Sequence, residues 1–188
     1  LFGRVDISKY ANGAETIENF IVHPHGGISR RPGTRFVKEV KTSAAKTRLI
    51  PFEFSTTQAY VLEFGNLYIR FYKDQGAILE ANKTISAAVP PTKANPCVVT
   101  ATSHGYSNGD EIYIASVAGM TELNGKYYKI KNKATNTFEL TNVDDVNINS
   151  SSFTTYTSGG TAARVFTLTT TFLTADIPNI QFAQSADV

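Results

Sequence analysis

Residues 48–74, RLIPFEFSTTQAYVLEFGNLYIRFYKD, decide the fold. Ile50, Phe52 and Phe54, then Tyr60, Leu62 and Phe64, then Leu67, Ile69 and Phe71 recur at every second position, the period of a strand with one buried face. Ser55-Thr56-Thr57 and Gly65-Asn66 interrupt the run. The stretch therefore predicts a three-stranded antiparallel meander with short turns. Burying the nine side chains would contribute on the order of 1.5–3 kcal/mol each before chain entropy is subtracted. The opposite face carries Glu53, Glu63, Tyr68, Arg70 and Tyr72. It is open to solvent, to a second layer or to another subunit, and Tyr68, Arg70 and Tyr72 are candidate subunit or partner contacts because interface cores favour tyrosine and arginine.

The 188 residues suit one domain or two small ones. A net charge of +2 argues against general nucleic-acid binding by electrostatics, though it leaves local basic patches open. No stretch approaches the ~18 uninterrupted apolar residues of a membrane span. Cys97 is the single cysteine, so no internal disulfide forms, and it reads as a small apolar strand residue. With no methionine before Met120, the chain reads as a piece of a longer product.

Before the meander, Asp6 is placed to cap one or two helical turns ahead of Gly13, and a second short helical piece is expected at 14–18. Strand-like residues 20–22 and 35–37 bracket turns at His25-Gly26-Gly27 and at Arg31-Pro32-Gly33, the latter suited to a type II turn. After the meander, Gln75-Gly76 makes a turn and residues 77–80 begin another strand.

Composition changes at residues 89–96, a proline-rich linker, and similar punctuation returns at 157–161. Between them short strands are expected at 98–102, 111–116, 126–131 and 137–140, a spacing of roughly ten residues that indicates a small barrel or sandwich. The expected fold is mainly β: an antiparallel sheet platform with a short N-terminal helix, formed by residues 1–90 and 164–188 and incomplete at its C-terminal end, and an inserted small β domain at 91–163. Residues 164–171 resume the alternation of the first part, so the strands flanking the insertion should neighbour one another in the platform sheet. A single turn is expected at Thr174-Ala175-Asp176.

Two sets of residues resemble known families. Gly3-Arg4-Val5-Asp6, Asn19-Phe20-Ile21-Val22, Gly26-Gly27-Ile28-Ser29-Arg30-Arg31-Pro32-Gly33-Thr34, Leu49-Ile50-Pro51-Phe52 and Gln181-Phe182-Ala183-Gln184-Ser185-Ala186-Asp187 resemble the N-terminal part of tail nozzle proteins of short-tailed bacteriophages, also called tail tubular protein B. That resemblance implies a virion tail protein made in the host cytoplasm, forming a six-fold homo-oligomeric ring below the portal and adaptor. Its implied partners are tail adaptor and tail fibre proteins, with duplex DNA sliding through the lumen without sequence recognition. Separately, His104-Gly105-Tyr106-Ser107-Asn108-Gly109-Asp110, Gly119-Met120-Thr121-Glu122-Leu123-Asn124-Gly125 and Phe138-Glu139-Leu140 resemble the small β module named after the first catalytic cysteine half-domain of ubiquitin-activating enzymes. It recurs as an insertion in phage structural proteins, and it lacks the catalytic cysteine even in its namesake.

Candidate chemistry is sparse. His23 and His25 at a strand end, with His104 elsewhere, lack an adjacent carboxylate or cysteine, so turn histidines are favoured over a zinc site. Asp144-Asp145 with Asn142, Asn147 and Asn149 lacks the glycine and distal glutamate of a calcium loop. No phosphate loop, nucleophile elbow or zinc-protease motif occurs, so neither catalysis nor a cofactor is expected. Arg30, Arg31 and Arg35 cluster around the Pro32-Gly33 turn and are candidate interface residues, since guanidinium forks bind carboxylates well. The principal functional expectation is a non-enzymatic tail component of the DNA ejection conduit. The alternative is a carbohydrate or host-surface binding module of a virion or prophage protein, presenting Tyr106, Tyr127 and Tyr156, although aromatics at sheet spacing more often belong to a core.

Overall fold

A computed structural model describes residues 16–23, 27–55 and 58–184. The chain divides into two compact units between Phe36 and Val37. Among the described residues it is mainly β, with antiparallel sheets throughout. The helix expected after Asp6 lies outside the described residues, and Thr16, Ile17 and Glu18, the described end of the second expected helical piece, are not helical.

The first unit contains a hairpin of β1 (Phe20–Val22) and β2 (Ile28–Arg30), paired Phe20 to Arg30 and Val22 to Ile28. The Arg31 amide donates to the Asn19 carbonyl at 2.9 Å and extends it. Residues 35–37 form no strand. They have no laddered neighbour, and just beyond them Lys38 turns its side chain into the second unit's interior.

The second unit opens with the expected meander: β3 (Arg48–Ser55), β4 (Gln58–Gly65) and β5 (Tyr68–Lys73). Its register sets Ile50 opposite Leu62, Leu62 opposite Phe71, and Glu63 opposite Arg70. The turn between β4 and β5 falls one residue later than expected. Gly65 still pairs with Tyr68, so the loop is Asn66-Leu67, with Leu67 at φ 64°. Gly65 serves a different purpose: a Cβ there would meet the Tyr68 ring at 2.1 Å. The next hairpin joins β5 to β6 (Gly76–Ala77) through Asp74 and Gln75, both at positive φ.

Which face is buried differs from the expectation. Ile50 and Ile69 are buried, but Tyr60, Leu62, Phe64 and Phe71 are half-buried, and Phe52 and Leu67 are exposed. Phe54's side chain lies outside the described set. The polar face is the more deeply buried one: Glu63, Tyr68 and Arg70 are 0, 4 and 1% exposed. The cause is what covers each side. The apolar face is covered thinly, by Phe71 against Phe166 at 5.8 Å, by Phe64 against Phe172 at 6.4 Å and by the Arg48 guanidinium on the carbonyls of Pro178 and Ile180. The polar face meets a second layer.

That layer is a six-stranded sheet ordered β7 (Lys83–Thr84), β12 (Ser158–Arg164), β9 (Glu111–Ala118), β10 (Lys126–Lys131), β11 (Thr137–Thr141) and β8 (Val98–Thr100). The expected strands at 98, 111, 126 and 137 are all present. Alternate residues of its strands, Ile112, Ile114, Tyr128, Ile130, Phe138, Leu140 and Val99, converge with Met120, Leu123 and Cys97 in the main core. The chain leaves the meander sheet at β6 and returns at β13 (Thr167–Thr169). Both pair along the same edge of β5, Ala77 with Tyr72 and Thr167 with Arg70, and Leu79 bridges to Val165. After β13, a turn at Thr174, Ala175 and Asp176 leads into a 3-10 turn at Ile177–Asn179.

Gly65→Ala should therefore overpack the meander against Tyr68 and destabilise the protein by about 1–3 kcal/mol in urea unfolding. An unchanged midpoint would show that the Tyr68 ring is free to move aside.

Candidate functional site: a buried ionic network between the sheets

The site is made by four segments. β4 and β5 supply Glu63, Tyr68, Arg70 and Tyr72 from one sheet face. β9 supplies Glu111, its first residue, immediately before the apolar Ile112 and Ile114 that lock the strand in the core. Residues 38–41 cross the site without belonging to a strand.

Glu111 is the hub. One carboxylate oxygen accepts from Arg70 Nη1 at 2.5 Å and the other from Lys38 Nζ. Glu63 is the second carboxylate, accepting from the Tyr68 hydroxyl at 2.5 Å, from the Tyr72 hydroxyl, and from the Lys41 amide at 3.0 Å. Arg70 also donates through Nε to Thr167 Oγ1 at 3.3 Å, which fixes the plane of its fork. Two buried carboxylates thus face two buried cations, and donors are aimed at all four carboxylate oxygens. Isolated burial of any one charge would be prohibitive.

Burial shows in the proton affinities. Desolvation pushes the Tyr68 and Tyr72 hydroxyls well above the ordinary phenol value, and their bonds to Glu63 add to it. Lys38 lies below the usual lysine value because burial outweighs the attraction of Glu111. Lys41 is lowered by burial and then by Arg70. Beside the network lies a polar cavity of about 250 Å³ whose lining includes Lys41, Arg70, Glu80, Asp110, Glu111 and Arg164. Arg164 spans it, bonded to Glu80 at 2.8 Å and Asp110 at 3.0 Å.

The candidate residues from the sequence fare differently. Tyr68 and Arg70 are internal partners of Glu63 and Glu111, so they are not exposed interface contacts; Tyr72 is half-buried in the same network. Arg30, Arg31 and Arg35 are exposed in the first unit. Arg30 and Arg31 line an open concavity of about 540 Å³ with Asn19 and the Pro32-Gly33 turn. Tyr106 is not a surface aromatic. It is buried, donates to the Ala162 carbonyl at 2.8 Å, and has its hydroxyl pushed up to about 12 by burial. Tyr127 is half-buried, packed against the tilted ring of Tyr113 with centres 5.0 Å apart and beneath the Lys38 ammonium. Tyr156 packs half-buried against the core and donates to the Gly159 carbonyl.

The HGYSNGD run is a folding motif. The Tyr106 amide donates to His104 Nδ1 at 2.9 Å, while Nε2 meets the Ala134 carbonyl at 3.0 Å, so the imidazole pins two loops together. Asp110 caps the Ser107 amide and Asn108 the Lys133 amide. His23 bonds Ser29, and His25 lies outside the described residues. Among the described residues no three His, Cys, Asp or Glu side chains converge as metal ligands. Asn142 caps its own loop through the Asp144 and Val146 amides, and Asp145 pairs with Lys129 at 2.6 Å.

With this geometry in place, comparison with known proteins is informative for one segment. Residues 94–165 match the family model of the ubiquitin-activating enzyme E1 FCCH domain. The match runs from just before β8 through β12, and so covers most of the strands that carry the main core. No curated protein matches the chain. Among the described residues no helix is long and apolar enough to cross a membrane.

Arg70→Met, which strips a fixed cation from a buried carboxylate, should lower stability by about 3–5 kcal/mol in chemical denaturation. Tyr106→Phe, which costs one buried hydrogen bond, should lower it by only about 0.5–1.5 kcal/mol. Equal losses for the two variants would contradict the network's weight.

Proposed function

We propose that this chain is a structural, non-enzymatic component of a bacteriophage tail: a nozzle-type ring protein that forms part of the DNA ejection conduit. The observation that carries this reading is topological. An FCCH-type module at 94–165 lies between β6 and β13, which share one edge of β5, as an insertion into a sheet platform would. The blocks at 3–6, 19–22, 26–34, 49–52 and 181–187 add the resemblance to tail nozzle proteins.

On this reading residues 1–90 and 164–188 form a platform and 91–163 an inserted β domain. The platform holds the wall of a six-fold ring, built in the host cytoplasm and carried in the virion tail. Its partners are the tail adaptor and fibre proteins, and duplex DNA slides through without being read. Supporting it mechanically, Arg70 and Glu111 tie module to sheet inside one compact unit, which suits a wall that must stay rigid while DNA passes. Arg30 and Arg31, exposed beside an open concavity, are suited to pair with carboxylates of a neighbouring subunit. The carbohydrate-binding alternative is the weaker reading, because Tyr106 is internal and Tyr127 and Tyr156 are half-buried.

Negative-stain imaging with solution mass of the natural full-length product, alone and with its adaptor ring, tests the reading. Closed rings with a central hole are expected, and Arg30→Glu with Arg31→Glu should reduce assembly at least tenfold, as loss of about 1.4 kcal/mol or more would. A persistent monomer in both conditions would overturn the ring assignment.

A further inference from the structure

Residues 38–41 are held chiefly by side chains. They join no sheet, and they are anchored to the rest of the unit by the Lys38 ammonium on Glu111 and over the Tyr127 ring, by the Lys41 amide on Glu63, and by the Lys41 ammonium over the Tyr68 ring. Lys38 is the deepest of these, with its side chain 3% exposed. Its Nζ lies against one Glu111 oxygen, 4.7 Å from the centre of the Tyr127 ring, and 3.4 Å from the Glu39 carbonyl. A carboxylate and an aromatic face around one point form a recognition site for a primary ammonium, to which the segment itself adds the Glu39 carbonyl when closed.

We propose that the space filled by Lys38 is an alkylammonium-binding site occupied in cis, and that residues 38–41 are a latch which this ligand closes. The site is built independently of the lysine. Glu111 is fixed by Arg70 and by the strand that follows it, and Tyr127 by packing against Tyr113 and by the Ala77 amide, which donates to its hydroxyl at 3.3 Å. Lys41 forms part of the wall of the 250 Å³ cavity, so opening the latch opens that cavity as well. With Lys38 withdrawn, Glu63 and Glu111 share Arg70 as their buried cation, and an ammonium supplied from outside satisfies the same charge balance. The natural trans ligand is accordingly a lysine side chain or another primary amine.

Chemical rescue tests this. Lys38→Ala empties the site without altering its walls, and ethylammonium chloride should raise the variant's Tm while leaving the unsubstituted protein's nearly unmoved. Sodium chloride at equal concentration should not reproduce the effect, and Lys38→Ala with Glu111→Gln should lose it. Equal shifts in both proteins, or an equal effect of sodium chloride, would overturn the site. Hydrogen exchange of the unsubstituted protein gives a test that needs no variant. The amides of residues 38–41 should exchange at least tenfold faster than those of β9, and exchange only together with β9 would overturn the latch.

Discussion

Four buried charges set the terms of this structure. Glu63, Glu111, Arg70 and Lys38 are withdrawn from water at the junction of two sheets. A buried carboxylate costs several kcal/mol unless it is paired and hydrogen-bonded, so β4, β5 and β9 cannot slide past one another without leaving charge unpaired. β5 must present Arg70 at the height of Glu111 and β4 must present Glu63 to two tyrosines, while residues 38–41 complete the pairing when they close over both. The cost of charge burial makes the arrangement specific. A purely apolar junction would tolerate sliding by a residue or two, whereas a bidentate carboxylate does not.

The remaining architecture follows from that junction. The six-stranded sheet carries the main apolar core, with alternate residues of β8, β9, β10 and β11 packed together with Cys97, Met120, Leu123 and Ile85. The meander has no comparable core. It leans one face on the ionic network and covers the other with a thin C-terminal segment, leaving Phe52, Leu168 and Phe172 partly exposed.

Strand positions were legible because alternation reports them directly. Ile112 and Ile114, or Leu62 and Phe64, announce strands whatever lies on either side. The deeper face of the meander was not legible, because periodicity separates two faces without saying what covers them. Phe52 and Phe71 look like core residues and Glu63 looks like a surface residue until β9 brings Glu111 opposite. Long-range charge pairing leaves no local trace: Lys38 and Glu111 are 73 residues apart. One signal was available, a single glutamate placed directly before the buried run at 112–114. Gly65 misled in a similar way. It reads as a turn residue, whereas its lack of a side chain makes room for a tyrosine ring three positions later. The aromatic residues of the module read ambiguously between surface and core, and the hydroxyl bonds of Tyr106 and Tyr156 to backbone carbonyls resolve them inward.

The central claim is that the network makes sheet and module one cooperative body. Native-state hydrogen exchange along a denaturant series measures this directly, since amides that open together converge on one free energy. The account predicts that amides of β5 around Arg70 and of β9 beyond Glu111 merge into a single isotherm. Separate isotherms, with β3, β4 and β5 opening at far lower free energy while β9, β10 and β11 stay protected, would contradict it.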